Sequence, residues 1–118
     1  MTPEGKVKAE IKKELARLQI VNASEIPKYI DQHKVFQGWY YMPVQSVYSV
    51  KGVPDFIGCF RGAFFAIEAK APGGVTSPNQ DYQIDGISMS GGMALVTSDA
   101  SEVAPFLRAT IIGEEVMA

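Results

Sequence analysis

Along residues 3–19 the apolar positions Val7, Ile11, Leu15 and Leu18 fall at three- and four-residue steps. That spacing lines them along one side of a helix. Thr2 suits the N-cap and Pro3 the first helical position. Lys6, Lys8, Glu10, Lys12, Lys13, Glu14 and Arg17 fill the other faces, as on a solvated helix surface. Residues 20–35 mix polar and apolar positions. There Ser24 is a candidate cap for a short helix, with Pro27 in its first turn and Ile26, Tyr29 and Ile30 facing inward. Over 38–50 the composition turns to Trp39, Tyr40, Tyr41, Val44, Val47, Tyr48 and Val50, which favours strand. Pro43 breaks that strand or places it at a sheet edge. Aromatics in a strand are mostly core, although they can also stack on unpaired bases.

Two apolar runs follow, Phe56 to Phe60 and Ala63 to Ala69, split by Arg61-Gly62. This is the pattern of a β-hairpin. A loop of only Arg61 and Gly62 sets Asp55 directly opposite Glu68, whereas a three-residue turn moves it opposite Ala69. In either register Asp55 stays near Glu68 and Lys70, which share one face of the second strand. Lys51-Gly52 makes the turn into the hairpin, and the glycine permits a close backbone approach.

Residues 71–76 read as a loop. Ser77-Pro78-Asn79-Gln80 then opens a helix to about Ser88, with a capping box between Ser77 and Gln80. Tyr82, Ile84 and Ile87 are expected on its buried side. Gly91-Gly92 turns into a buried strand, Met93 to Thr97. Ser98 or Ser101 caps a last helix to about Ala109, with Val103, Phe106 and Leu107 inward. Thr110-Ile111-Ile112 is a final strand or a tail. The order is helix, optional helix, three strands, helix, strand, helix. It predicts a single α/β domain over 1–118, a mixed β-sheet flanked by helices.

Composition narrows the class. With 118 residues, 47% hydrophobic and 20% charged, the chain has the make-up of a globular protein with one modest core. No apolar run is long enough to span a membrane, and no secretory h-region opens the chain. The lone cysteine, Cys59, forms no internal disulfide and reads as a small buried hydrophobe. These features point to the cytoplasm. The single histidine, His33, reads as a surface residue. Net charge is −2, which argues against general nucleic-acid binding. Its distribution softens the objection: residues 1–70 hold ten Lys/Arg against seven Asp/Glu, and residues 71–118 hold one against six. A modestly acidic monomer is expected to bind DNA weakly.

The candidate chemistry lies at the hairpin. Carboxylates facing each other across a strand pair repel, with Cβ atoms roughly 4.5–5.5 Å apart. At that spacing Asp55 and Glu68 can share one hard divalent cation. Lys70 beside them is placed to orient a nucleophilic water or to offset developing charge.

Pro54-Asp55 followed by Glu68-Ala69-Lys70 resembles the PD-(D/E)xK nuclease signature. The longer string Gly52-Val53-Pro54-Asp55, Ala66-Ile67-Glu68-Ala69-Lys70-Ala71-Pro72 and Ser77-Pro78-Asn79-Gln80 resembles the virus-type replication-repair nuclease (VRR-NUC) domain. The likeness runs from Glu4 into the 90s. It implies a restriction-endonuclease-like core and a Mg²⁺- or Mn²⁺-dependent DNA endonuclease of repair or recombination, in a bacterial or phage-infected cell. Asp55 and Glu68 would ligate the metal, with the Ala69 backbone carbonyl, and Lys70 would act on the water. A first-helix Glu joins the site in such enzymes, which selects Glu4, with Glu10 the fallback. Otherwise Glu4 is a favourable charge at a helix N-terminus. Gln80 would lie beside Lys70, and the same residue serves the capping box. The implied substrate is branched DNA, above all the four-way (Holliday) junction cut by a homodimer. Flap or nick cleavage is the alternative, and a DNA-binding or assembly module without catalysis the third reading.

Overall fold

A computed structural model of the chain describes residues 1–117, with side-chain surroundings up to Ile111. Helix α1 (Pro3–Arg17) starts as expected: Thr2 accepts a hydrogen bond from the Gly5 N–H, and Pro3 occupies the first turn. Val7, Ile11 and Leu15 are buried on its inner face. A short strand, β1 (Ile20–Asn22), comes next and was not expected. One 3₁₀ turn (Ala23–Glu25) leads into α2 (Ile26–Asp31). Asn22 caps that turn through Ser24 N–H, so Ser24 is the capped residue and not the cap. Ile26 and Tyr29 are half-buried, and Ile30 is exposed.

Strand β2 is Gly38–Tyr41, shorter than the expected 38–50. Only Tyr40 of its aromatics is buried, with Trp39 and Tyr41 stacked on the opposite face. Residues 42–55 form a loop in which Val44, Val47, Tyr48 and Val50 are exposed. Solvent around this segment overrides its strand-like composition.

The hairpin consists of β3 (Phe56–Phe60) and β4 (Ala63–Ala69), paired antiparallel from Phe56↔Ile67 to Phe60↔Ala63. Its loop is Arg61-Gly62 alone. Both residues have positive φ, 49° and 91°, the requirement of the tight turn that matches strand twist. Cys59 is exposed on the sheet, contrary to its expected burial.

Helix α3 (Pro78–Met89) carries the expected capping box, and β5 (Met93–Thr97) follows, an edge strand in which only Thr97 is buried, not the buried strand expected. No residue of α3 is fully buried, and Tyr82, expected inward, is exposed. A 3₁₀ turn (Ala100–Glu102), capped by Asp99 and not by Ser98 or Ser101, enters α4 (Val103–Met117). This helix continues through 110–112, where a strand or tail was expected. Thr110 is accommodated because its hydroxyl donates to the Leu107 carbonyl.

The five strands form one mixed sheet in the order β1-β2-β3-β4-β5. Pairs β1/β2 and β4/β5 are parallel, and the two inner pairs are antiparallel. On one face, α1 and α4 bury Phe56, Phe60, Phe65 and Ile67 together with Ile11, Leu15, Val103 and Leu107. Burying such a side chain contributes roughly 1.5–3 kcal/mol, so this layer holds the sheet to both helices. Helix α3 covers the other face only at its β4–β5 end. Among the described residues, no helix is long and apolar enough to cross a membrane.

Candidate functional site

Asp55 is the last residue before β3, and Glu68 lies near the end of β4. Continuing the hairpin register by one place sets them opposite each other, as the two-residue loop requires. The Asp55 carboxylate turns to the neighbouring strand, where its Oδ2 accepts from Ala69 N–H at 2.9 Å. Its Oδ1 faces the Lys8 ammonium at 3.3 Å. Glu68 is a buried carboxylate, 4% exposed, on the strand face towards α3. Its Oε2 accepts from Gln80 Nε2 at 3.0 Å and lies 3.5 Å from Lys70 Nζ. Burial and the negative charge of Asp55 push Glu68 up to about 7, while Lys70 pulls in the opposite direction.

Gln80 serves two roles. Its Oε1 accepts from Ser77 N–H at 2.9 Å, completing the capping box, and its Nε2 donates to Glu68. The helix cap therefore sets the orientation of the amide that holds the carboxylate. Gly52 brings the preceding loop onto the same helix end. Its φ is +86°, and a Cβ there would lie 2.3 Å from the Asn79 carbonyl. Only glycine permits that contact.

A cleft of about 310 Å³ opens between these groups. Glu4, Lys8, Asp55, Glu68 and Gln80 are among the residues that line it, and Lys70, behind Glu68, is not. Glu4 faces the cleft, and its carboxylate lies 3.9 Å from the Lys8 ammonium. Lys8 thus bridges Glu4 and Asp55. Glu10, the alternative first-helix acid, pairs with Lys13 at 3.2 Å on the exposed side of α1 and takes no part. At 3.6 residues per turn, a residue six positions on from Glu4 points roughly 120° away around the helix axis. Lys8 is the cleft-lining residue that the charge pattern concealed. The signal lay in the spacing: Glu4, Lys8, Ile11 and Leu15 step by four, three and four, so the first two continue the buried stripe.

The donor set is all oxygen. His33 and Cys59 are exposed and do not line this cleft. Among the described residues, no three His, Cys, Asp or Glu side chains gather closely enough to hold a metal ion. Two carboxylates suit Mg²⁺, which takes one or two plus waters and phosphate oxygens. The chain matches no protein-family model, no curated protein and no solved structure.

Proposed function

We propose that this chain is a divalent-metal-dependent, structure-specific DNA endonuclease of the VRR-NUC type, with a restriction-endonuclease-like core. The observation that carries the reading is a single cleft lined by Asp55, Glu68 and Gln80, with Lys70 held 3.5 Å from Glu68. A bound Mg²⁺ or Mn²⁺ supplies Lewis-acid stabilisation of charge on a phosphodiester under attack. Asp55 and Glu68 would hold it, with Glu4 at the cleft wall. In an extended strand the N–H and C=O of one residue point the same way, so the Ala69 carbonyl faces the Asp55 side as well. Lys70 orients the attacking water and offsets charge on the phosphate. Gln80 keeps the Glu68 carboxylate turned into the cleft.

The substrate is branched DNA, foremost the four-way junction. Two symmetric cuts there match a two-fold homodimer. Two copies also enlarge a binding surface that one chain of net charge −2 lacks. The test is incubation of the purified protein with Mg²⁺ or Mn²⁺ and labelled duplex, nicked, flap and four-way DNA. The expected result is metal-dependent cleavage of the four-way junction at symmetric positions. Preferential cutting at flaps or nicks would replace the substrate assignment. Undiminished cutting by Asp55→Ala would refute the site.

A second reading is a DNA-binding or assembly module without catalysis. It draws support from the ion pairs, since Asp55 has Lys8 and Glu68 has Lys70 as partners. Calorimetric titration of Mn²⁺ into wild type and Glu68→Ala separates the two. Heat from wild type alone supports the enzyme, and none from either supports the module.

A further inference from the structure

We propose that Lys8 is a second working lysine of this site, resting on the metal-dependent reading above. Its ammonium holds Asp55 in the metal-free protein, leaves when a cation binds, and then binds the DNA phosphate.

The geometry forces a choice at Asp55. Oδ2 is already committed to the Ala69 N–H. Oδ1 has no backbone donor and is the more open oxygen for a cation, and it is the one Lys8 faces at 3.3 Å. A Mg²⁺ ligand sits at roughly 2.0–2.1 Å from its ion. An ammonium and a divalent cation on the same carboxylate oxygen would repel strongly at that range. The lysine is free to yield: its side chain is 33% exposed and ends a flexible four-carbon stem. Glu4, one helical turn back and 3.9 Å from the ammonium, offers a second acceptor at the cleft wall. In that position Lys8 still faces the cleft, where a phosphodiester would carry the charge it has lost. A cation held by Asp55 and Glu68 with both lysines retained gives the site a net positive charge, which favours a phosphate.

The test uses the full chain with Lys8→Met, which keeps the apolar stem, and Lys8→Arg, which grips a carboxylate more firmly. Mn²⁺ affinity is measured by calorimetry. Lys8→Met is expected to bind Mn²⁺ about fivefold tighter than wild type, the equivalent of one modest ion pair. Lys8→Arg is expected to bind it more weakly. With a four-way junction, Lys8→Met is expected to raise KM about tenfold with kcat within about threefold, the signature of a lost binding contact. A purely structural Lys8 would leave that split unmoved. In wild type, the Lys8 side-chain NMR resonances are expected to shift on Mg²⁺ addition, a readout that needs no variant. Equal Mn²⁺ affinity in all three proteins, or unmoved Lys8 resonances at saturating Mg²⁺, would overturn the displacement. An unchanged KM in Lys8→Met would overturn the phosphate contact. Absence of Mn²⁺ binding in wild type and both variants would overturn the metal reading itself, and the role of Lys8 with it.

Discussion

Glu68 is a carboxylate held where its charge is disfavoured. It is buried and faces the Asp55 charge, while Lys70, the Gln80 amide and the Asp55 backbone N–H offset those effects in part. Its pKa rises from 4.5 to about 7 in the folded chain. Between those values the folded protein binds more protons than the unfolded one, so stability falls as pH rises through the window. Thermal melts in EDTA are therefore expected to show a Tm that declines from about pH 4.5 to about pH 7. Glu68→Gln should flatten that slope, and a wild-type profile already flat there would contradict the burial effect. Asp55→Ala removes the facing charge and one acceptor. It is expected to abolish metal-dependent cleavage while circular dichroism shows the fold retained. Lys70→Ala should do the same, because neither residue belongs to the apolar layer. At this scale the trio Asp55, Glu68 and Lys70 was legible because hairpin pairing is local arithmetic. Lys8 was not, since a lysine on a helix reads as solvated until the partner 47 positions away is known.

At the element scale, α3 joins stability to the site. Ser77→Ala removes the N-cap and is expected to cost about 1 kcal/mol in denaturant melts. Cleavage should fall less than in Gln80→Ala, which also frees Glu68. Loss of such a supporting contact is typically worth about 10–100-fold in activity or metal affinity. Equal activity in the two variants would show that the Gln80 amide serves only the cap. Gly52→Ala is a stronger perturbation. It combines a positive φ with a Cβ 2.3 Å from the Asn79 backbone. It should destabilise by more than about 1 kcal/mol and lower cleavage by pushing the α3 entrance outward. Helix α1, the hairpin, α3 and β5 were all readable from periodicity and turn residues. Strand β1 was not, because three residues carry too little pattern and its partner β2 is parallel and distant. Residues 42–50 misled in the other direction, since β-branched and aromatic residues there sit in solvent.

Across the whole molecule the two sheet faces are unequal. Helices α1 and α4 seal one, while the other leaves Trp39, Tyr41 and Phe64 about two-fifths or more exposed. The proposed junction chemistry requires a two-fold assembly, so sedimentation is expected to give a dimer. A monomer that still cuts four-way junctions symmetrically would refute that assembly. The amino-acid order alone determined the apolar stripe of α1, the two-residue hairpin loop and the capped start of α3. Each of these depends on neighbours a few positions apart, and steric and hydrogen-bonding preferences at that range act within the segment itself. Tertiary structure alone decided that α1 lies with Glu4 and Lys8 towards Asp55, and that Glu10 points away. It also decided that the Gln80 amide reaches Glu68, and that Tyr82 and Tyr48 remain in solvent. Those outcomes follow from how separate elements dock on one sheet, a balance of buried area and charge that no single segment contains.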